Sequence, residues 1–151
     1  MAGQFEGRRV TGLVLTLVVM TAVIPPAAAY ALAEWRISRA ERAASEAAGP
    51  LGARKADLRE AAGTHHVVCG PGRLPRGEGA GAEWVDNPVS AGVTLGAIWP
   101  QDPWGRCYLL NVRGVMEAGG GLLISAGPNG TIDTPLDAAS PAGDDIAVIV
   151  R

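Results

Sequence analysis

The residues best equipped for chemistry crowd into the closing stretch "GLLISAGPNGTIDTPLDAASPAGDDIAVIVR". It carries four aspartates, Asp133, Asp137, Asp144 and Asp145, and a Gly-Pro-Asn-Gly turn at residues 127–130. Carboxylates and amides on a flexible loop between two apolar runs are the donors that a hard cation such as calcium takes, with six to eight oxygens in its shell. The same composition also describes a solvated acidic connection with an Asx-type turn at Asn129.

Other chemistry-bearing groups lead less far. "HHVVC" offers His65, His66 and Cys69, but no second ligand cluster accompanies it, as a zinc site requires. "GEGAGAEW" is rich in glycine, yet no apolar strand precedes it and no Lys-Ser/Thr follows, so it does not read as a phosphate loop. Ser125 has no identifiable activating histidine, and the aspartates share one loop without an acid/base partner. No catalytic residue is assigned and the chain is not expected to be an enzyme. The net charge of −2 gives no basic field for nucleic acid.

The elements that position these residues begin with an uncharged run over residues 10–33, "VTGLVLTLVVMTAVIPPAAAYALA". Its length matches the roughly 20 apolar residues that cross a bilayer. It can be a secretory signal cut after "AAAYALA", a plain anchor, or the hydrophobic stem of a longer helix. Pro25 and Pro26 predict a kink or a melted turn inside it. Arg8 and Arg9 precede the run while Arg36, Arg39 and Arg42 follow it, so the positive-inside rule leaves its orientation open. The next stretch, rich in Ala, Glu and Arg, predicts an amphipathic helix with a thin apolar stripe of Leu32, Trp35 and alanines, ending at Gly49-Pro50. A short helical turn follows around residues 57–62. From there to about residue 87, glycine and proline predict loop with no regular element.

Asp102-Pro103-Trp104-Gly105 fits a type I turn. Three strands are expected after it, at residues 106–112, 122–126 and 145–150, forming an antiparallel meander with one face covered by the long helix. Cys69 and Cys107 are either one disulfide of an exported domain or two buried thiols. A bridge would close a loop of about forty residues and add roughly 3 to 4 kcal/mol. Trp84, Trp99 and Trp104 could instead form an aromatic contact surface if exposed.

The hydrophobic stem running into a long helix, then "DPWGRCYLLNV", "LLISAGPNGTID" and "GDDIAVIV", resembles the major pseudopilin of type II secretion systems and its relatives among type IV pilin-like proteins. The motifs cover about residues 99–151, and residues 10–48 resemble the family in architecture. The resemblance implies an α+β, pilin-like fold, a long N-terminal hydrophobic helix packed on a small three-stranded antiparallel sheet. The organisation would be residues 1–9 cytoplasmic, 10–33 hydrophobic stem, 34–62 amphipathic helix and turn, and 63–151 periplasmic globular domain.

It further implies a single-pass protein of the bacterial inner membrane, a structural subunit that polymerises with other pseudopilin subunits and works with the secretion machinery in protein export. Matched turn to turn, it implies a structural calcium held by the Ala126 carbonyl, Asn129, and Asp144 or Asp145; the loop here, with Pro135 and Pro141, is longer than the family's, which adds Asp133 and Asp137 as candidates outside that match. The family's prepilin signature, a glycine followed by Phe-Thr-Leu-x-Glu, is not found after Gly7 or Gly12. The span is therefore expected to be retained. The alternative function is an anchored or secreted extracytoplasmic binding module that forms no filament.

Overall fold

In a computed structural model the backbone is described over residues 6–151 and side chains over residues 26–151. Most of the proposed stem, residues 10–25, lies outside the described side chains; among the described residues no helix is long and apolar enough to cross a membrane. The chain divides into two compact units, Met1–Trp35 and Arg36–Arg151. Helix α1 (Glu6–Ala53) supplies the described part of the first unit, where Tyr30, Leu32 and Trp35 are 69%, 49% and 54% exposed.

In the second unit α1 buries Ala40, Ala44, Ala47 and Leu51. Their spacing of four, three and four residues puts all of them on one helical face. Alanines let the helix backbone approach closely, so the Tyr108 hydroxyl can donate to the Ala40 carbonyl at 3.0 Å. The helix does not stop at Gly49-Pro50 but continues to Ala53. A helical proline costs about 3 kcal/mol. Full burial of Leu51 returns about 1.5–3 kcal/mol, and Gly52 packs so tightly on the Arg151 carbonyl that a Cβ would collide with it.

Helix α2 (Lys55–Ala62) buries Leu58 and Ala62 on the same core. The segment expected to be loop holds strands β1 (Val67–Cys69) and β2 (Arg76–Gly77) and a 3-10 helix over Gly79–Trp84. Strand β3 (Val89–Ser90), helix α3 (Gly92–Leu95), a second 3-10 helix (Gly96–Ile98), strand β4 (Leu109–Asn111), helix α4 (Val112–Met116) and strands β5 (Gly121–Ser125), β6 (Thr131–Ile132) and β7 (Ile146–Val150) complete the order. Asn111 ends β4 early because its Oδ1 accepts the Gly114 N–H at 2.9 Å and caps α4, which replaces part of an expected loop.

The expected three-stranded antiparallel sheet is part of a larger mixed one. β4, β5 and β7 are the antiparallel meander, but β1 pairs antiparallel with β4 and β3 pairs parallel with β1, in the order β3-β1-β4-β5-β7. Strands of two or three residues leave no periodicity to read. A bond between Cys69 and Cys107, with Cα atoms 5.7 Å apart, pins β1 beside β4. β2 and β6 make a separate parallel pair.

Both faces of the main sheet are covered. Tyr108, Leu110, Leu123 and Val150 pack toward α1, α2 and Trp99. Leu109, Leu122 and Ile124 pack toward Trp84 and Ile132 on the other face. The Trp84 indole N–H donates to the Thr134 carbonyl at 2.9 Å, which satisfies its buried donor. Residues 131–134 are thereby held against the sheet beside the aspartate loop.

Candidate cation loop and its buried anchor

β5 and the start of β7 lie side by side, with Ser125 opposite Ile146, so the loop leaving β5 and the loop entering β7 meet at one end of the sheet. The Gly130 N–H donates to the Ala126 carbonyl at 3.1 Å, closing a turn in which Gly127 and Gly130 have φ of +53° and +77°. Only glycine adopts these values without strain. Asn129 Oδ1 accepts the Thr131 N–H at 2.6 Å, an Asx turn.

The structure brings four of the sequence-derived residues together. The Asn129 backbone N–H donates to Asp144 Oδ2 at 3.0 Å and its side-chain amide to Asp133 Oδ2 at 3.4 Å. Asp145 Oδ2 accepts the N–H groups of Asp133 and Thr134 at 2.9 and 2.8 Å and the Thr134 hydroxyl at 2.6 Å. The other oxygens differ: Asp144 Oδ1 and Asp145 Oδ1 are buried and have no hydrogen-bond partner among the described residues. Burial, first of all, pushes the Asp145 carboxyl above its ordinary value, against the hydrogen bonds from Thr134 and Asp133. A buried carboxylate oxygen without a donor carries a desolvation cost that a proton, a cation or an ordered water relieves.

Asp137 lies elsewhere. It is exposed and lines an open groove of about 730 Å³ with Asn111, Arg113, Glu117, Leu122 and Ile149. Exposed His66 borders the same groove, and Cys69 is committed to its disulfide. Among the described residues no three His, Cys, Asp or Glu side chains form a metal-holding group, so a cation here would also draw on backbone carbonyls and Asn129. The glycine-rich "GEGAGAEW" runs from the end of β2 into the 3-10 helix, and Gly81 is needed because a Cβ would strike the Ile132 carbonyl. Trp84 and Trp99 are 0% and 1% exposed and serve the two cores. The expected aromatic surface therefore does not include them.

A second cluster was invisible to sequence reasoning. Asp102 does build the expected turn: Gly105 N–H donates to its carbonyl at 3.0 Å, and Oδ1 accepts the N–H groups of Trp104 and Arg106 at 2.9 and 2.8 Å. Its side chain is fully buried, however, and Oδ2 accepts the Ser125 hydroxyl at 2.9 Å and lies 3.4 Å from Arg106 Nε. Ser125 Oγ accepts the Gly127 N–H at 3.3 Å, and Arg106 Nη2 donates to the Gly127 carbonyl. The Arg106 guanidinium also lies 5.6 Å from the centre of the Trp104 ring. From another strand, Arg76 Nη2 donates to the Asn129 carbonyl at 3.2 Å. An aspartate opening a turn and a serine closing a strand carry no pattern that announces such a pairing.

No protein-family model, curated protein or solved structure matches this chain.

Proposed function

We propose that the protein is a structural, pilin-like subunit of a type II secretion pseudopilus or a related filament. It is anchored in the bacterial inner membrane through residues 10–33, with the Arg36–Arg151 unit in the periplasm, and it works in protein export without catalysing a reaction. The observation that carries this reading is the joining of its motifs: the Asp102-Pro103-Trp104-Gly105 turn, the Ser125 to Gly130 turn and Asp144-Asp145 meet in one hydrogen-bonded assembly at the end of a sheet packed on a long helix. Tyr30 and Leu32, exposed on the helix of the other unit, provide apolar surface for neighbouring subunits.

The residues of the loop fit a structural calcium in one respect, since two buried carboxylate oxygens there have no hydrogen-bond partner among the described residues. Asp144 and Asp145 would hold the ion, with Asn129, Asp133 and the Ala126 carbonyl as the remaining donors. Such an ion neutralises carboxylates that otherwise repel one another, and it stabilises the folded state by linkage. In the reading proposed here its role is structural: it ties the entry of β7 to the exit of β5.

Filament assembly is tested with single cysteines at Tyr30, Leu32 and Ala33, all exposed, oxidised in membranes of cells that carry the secretion machinery. A disulfide-linked dimer at one or more of these positions is expected, since one added thiol per subunit makes one cross-link between neighbours. Monomer at all three positions overturns the filament reading.

A further inference from the structure

Gly127 is gripped from two sides. On one side its N–H reaches Ser125 Oγ at 3.3 Å and its carbonyl accepts from Arg106, and both of those groups converge on Asp102 Oδ2. On the other side Asp144 packs so closely that a Cβ at Gly127 would collide with the Asp144 carbonyl. Asp144 in turn accepts the Asn129 N–H. The relative position of Asn129 and Asp144 is thus set through one glycine by three residues that lie outside the proposed ligand set.

The two oxygens of Asp102 divide the work. Oδ1 shapes the turn of residues 102–105, and Oδ2 reaches across to the loop after β5. A fully buried carboxylate is costly unless paired and hydrogen-bonded in good geometry. Its partners, Ser125 and Arg106, are therefore constrained to one arrangement, and that arrangement fixes Gly127. Arg106 is 14% exposed at its side chain, so its charge is directed at Asp102 and the loop backbone. Arg76 holds the Asn129 carbonyl from a different strand. Two carbonyls of the turn, those of Gly127 and Asn129, are occupied by guanidinium groups, which leaves the carboxylate side of the loop for a cation.

We infer that Asp102 is a positioning residue for the cation loop: through Ser125 and Arg106 it presets the turn at residues 126–130 against Asp144, so that a cation binds a loop already in place. This inference rests on the calcium reading above. Supporting groups of this kind around metal ligands typically change affinity by about 10–100-fold when removed.

The test uses the full chain in detergent micelles and calcium alone as the probe, with binding measured calorimetrically and melting followed in chelator and in calcium. Asp102→Asn keeps an oxygen for the turn and loses the acceptor for Ser125. Ser125→Ala removes only the bridging hydroxyl and serves if Asp102→Asn does not fold. Both should bind calcium about tenfold or more weakly than wild type and show a smaller calcium-dependent rise in melting temperature, while Asp137→Asn matches wild type. Variants that melt lower in chelator yet keep wild-type affinity and the full calcium increment would make the cluster merely structural and overturn the inference. Wild-type protein that binds no calcium would overturn the calcium reading itself and the inference with it.

Discussion

Reducing the Cys69–Cys107 bond removes no side-chain atom, from buried Cys107 or partly buried Cys69, so its effect on stability reports the cross-link and not a cavity. The bond spans a sequence separation of 38 residues. In the chain-entropy account, a loop of that size restricts the unfolded ensemble by ~13 cal/mol/K, or about 4 kcal/mol at 25 °C. The bond sits beside the register that pairs Cys69 with Leu109, so any β1–β4 pairing that survives in the unfolded chain lowers the figure toward 3. A domain of this size has about 5–15 kcal/mol in total, and reduction therefore removes a large share. Urea unfolding of the full-length protein in detergent, followed by tryptophan fluorescence because Trp84 and Trp99 are both buried, should show the midpoint fall on reduction. A loss below about 1 kcal/mol would refute the entropy argument. Two labelled thiols in unfolded, unreduced protein would refute the bridge.

Two further predictions concern single side chains. Burial above all, and then the Asp102 charge, push the Tyr108 phenol far above its ordinary 10.0, with Arg39 opposing. The folded protein keeps a proton that the unfolded chain loses, so this contribution to stability is complete below pH 10 and declines as pH rises above it. With Tyr30→Phe, which leaves Tyr108 the single tyrosine, absorbance at 295 nm should show phenolate only as the protein unfolds; a reversible titration near pH 10 in folded protein would contradict the burial. Asp145→Ala should abolish most of the calcium-dependent rise in melting temperature and, by stripping three hydrogen bonds from residues 133–134, lower the melting temperature in chelator by an amount corresponding to about 2–4 kcal/mol. Asp137→Ala should leave both values unchanged, and equal effects from the two substitutions would remove the distinction drawn between them.

The sequence exposes what is long or strongly patterned. "RCYLLNV", "GLLIS" and "DIAVIV" are largely apolar runs, and they supply the adjacent strands β4, β5 and β7. β1, β2, β3 and β6 are two or three residues each and have no hydrophobic period; tertiary contacts such as the disulfide and the Gly81–Ile132 approach hold them. Pro50 misled for a physical reason, because its local cost is offset by the burial of Leu51 together with the close packing of Gly52, and local rules do not include tertiary packing. At the site, Asn129, Asp133, Asp144 and Asp145 were visible as donor types. Asp137 looked equivalent in composition, and only the path of the loop sends it to the groove. Asp102 and Arg106 flank one turn while Ser125 closes β5, so the cluster they form exists only once β4 and β5 pair.

Whether the proposed pilin-like subunit keeps its hydrophobic stem in the membrane is read from the N-terminal residue and intact mass of protein recovered from membranes. The expected result is a chain with its N-terminus unprocessed, residues 10–33 included, that fractionates with the inner membrane. A start immediately after Gly7 or Gly12 with a methylated amine would show prepilin processing and contradict retention of the intact N-terminus. A start at Glu34 would mean a cleaved signal peptide, and the filament account would fall.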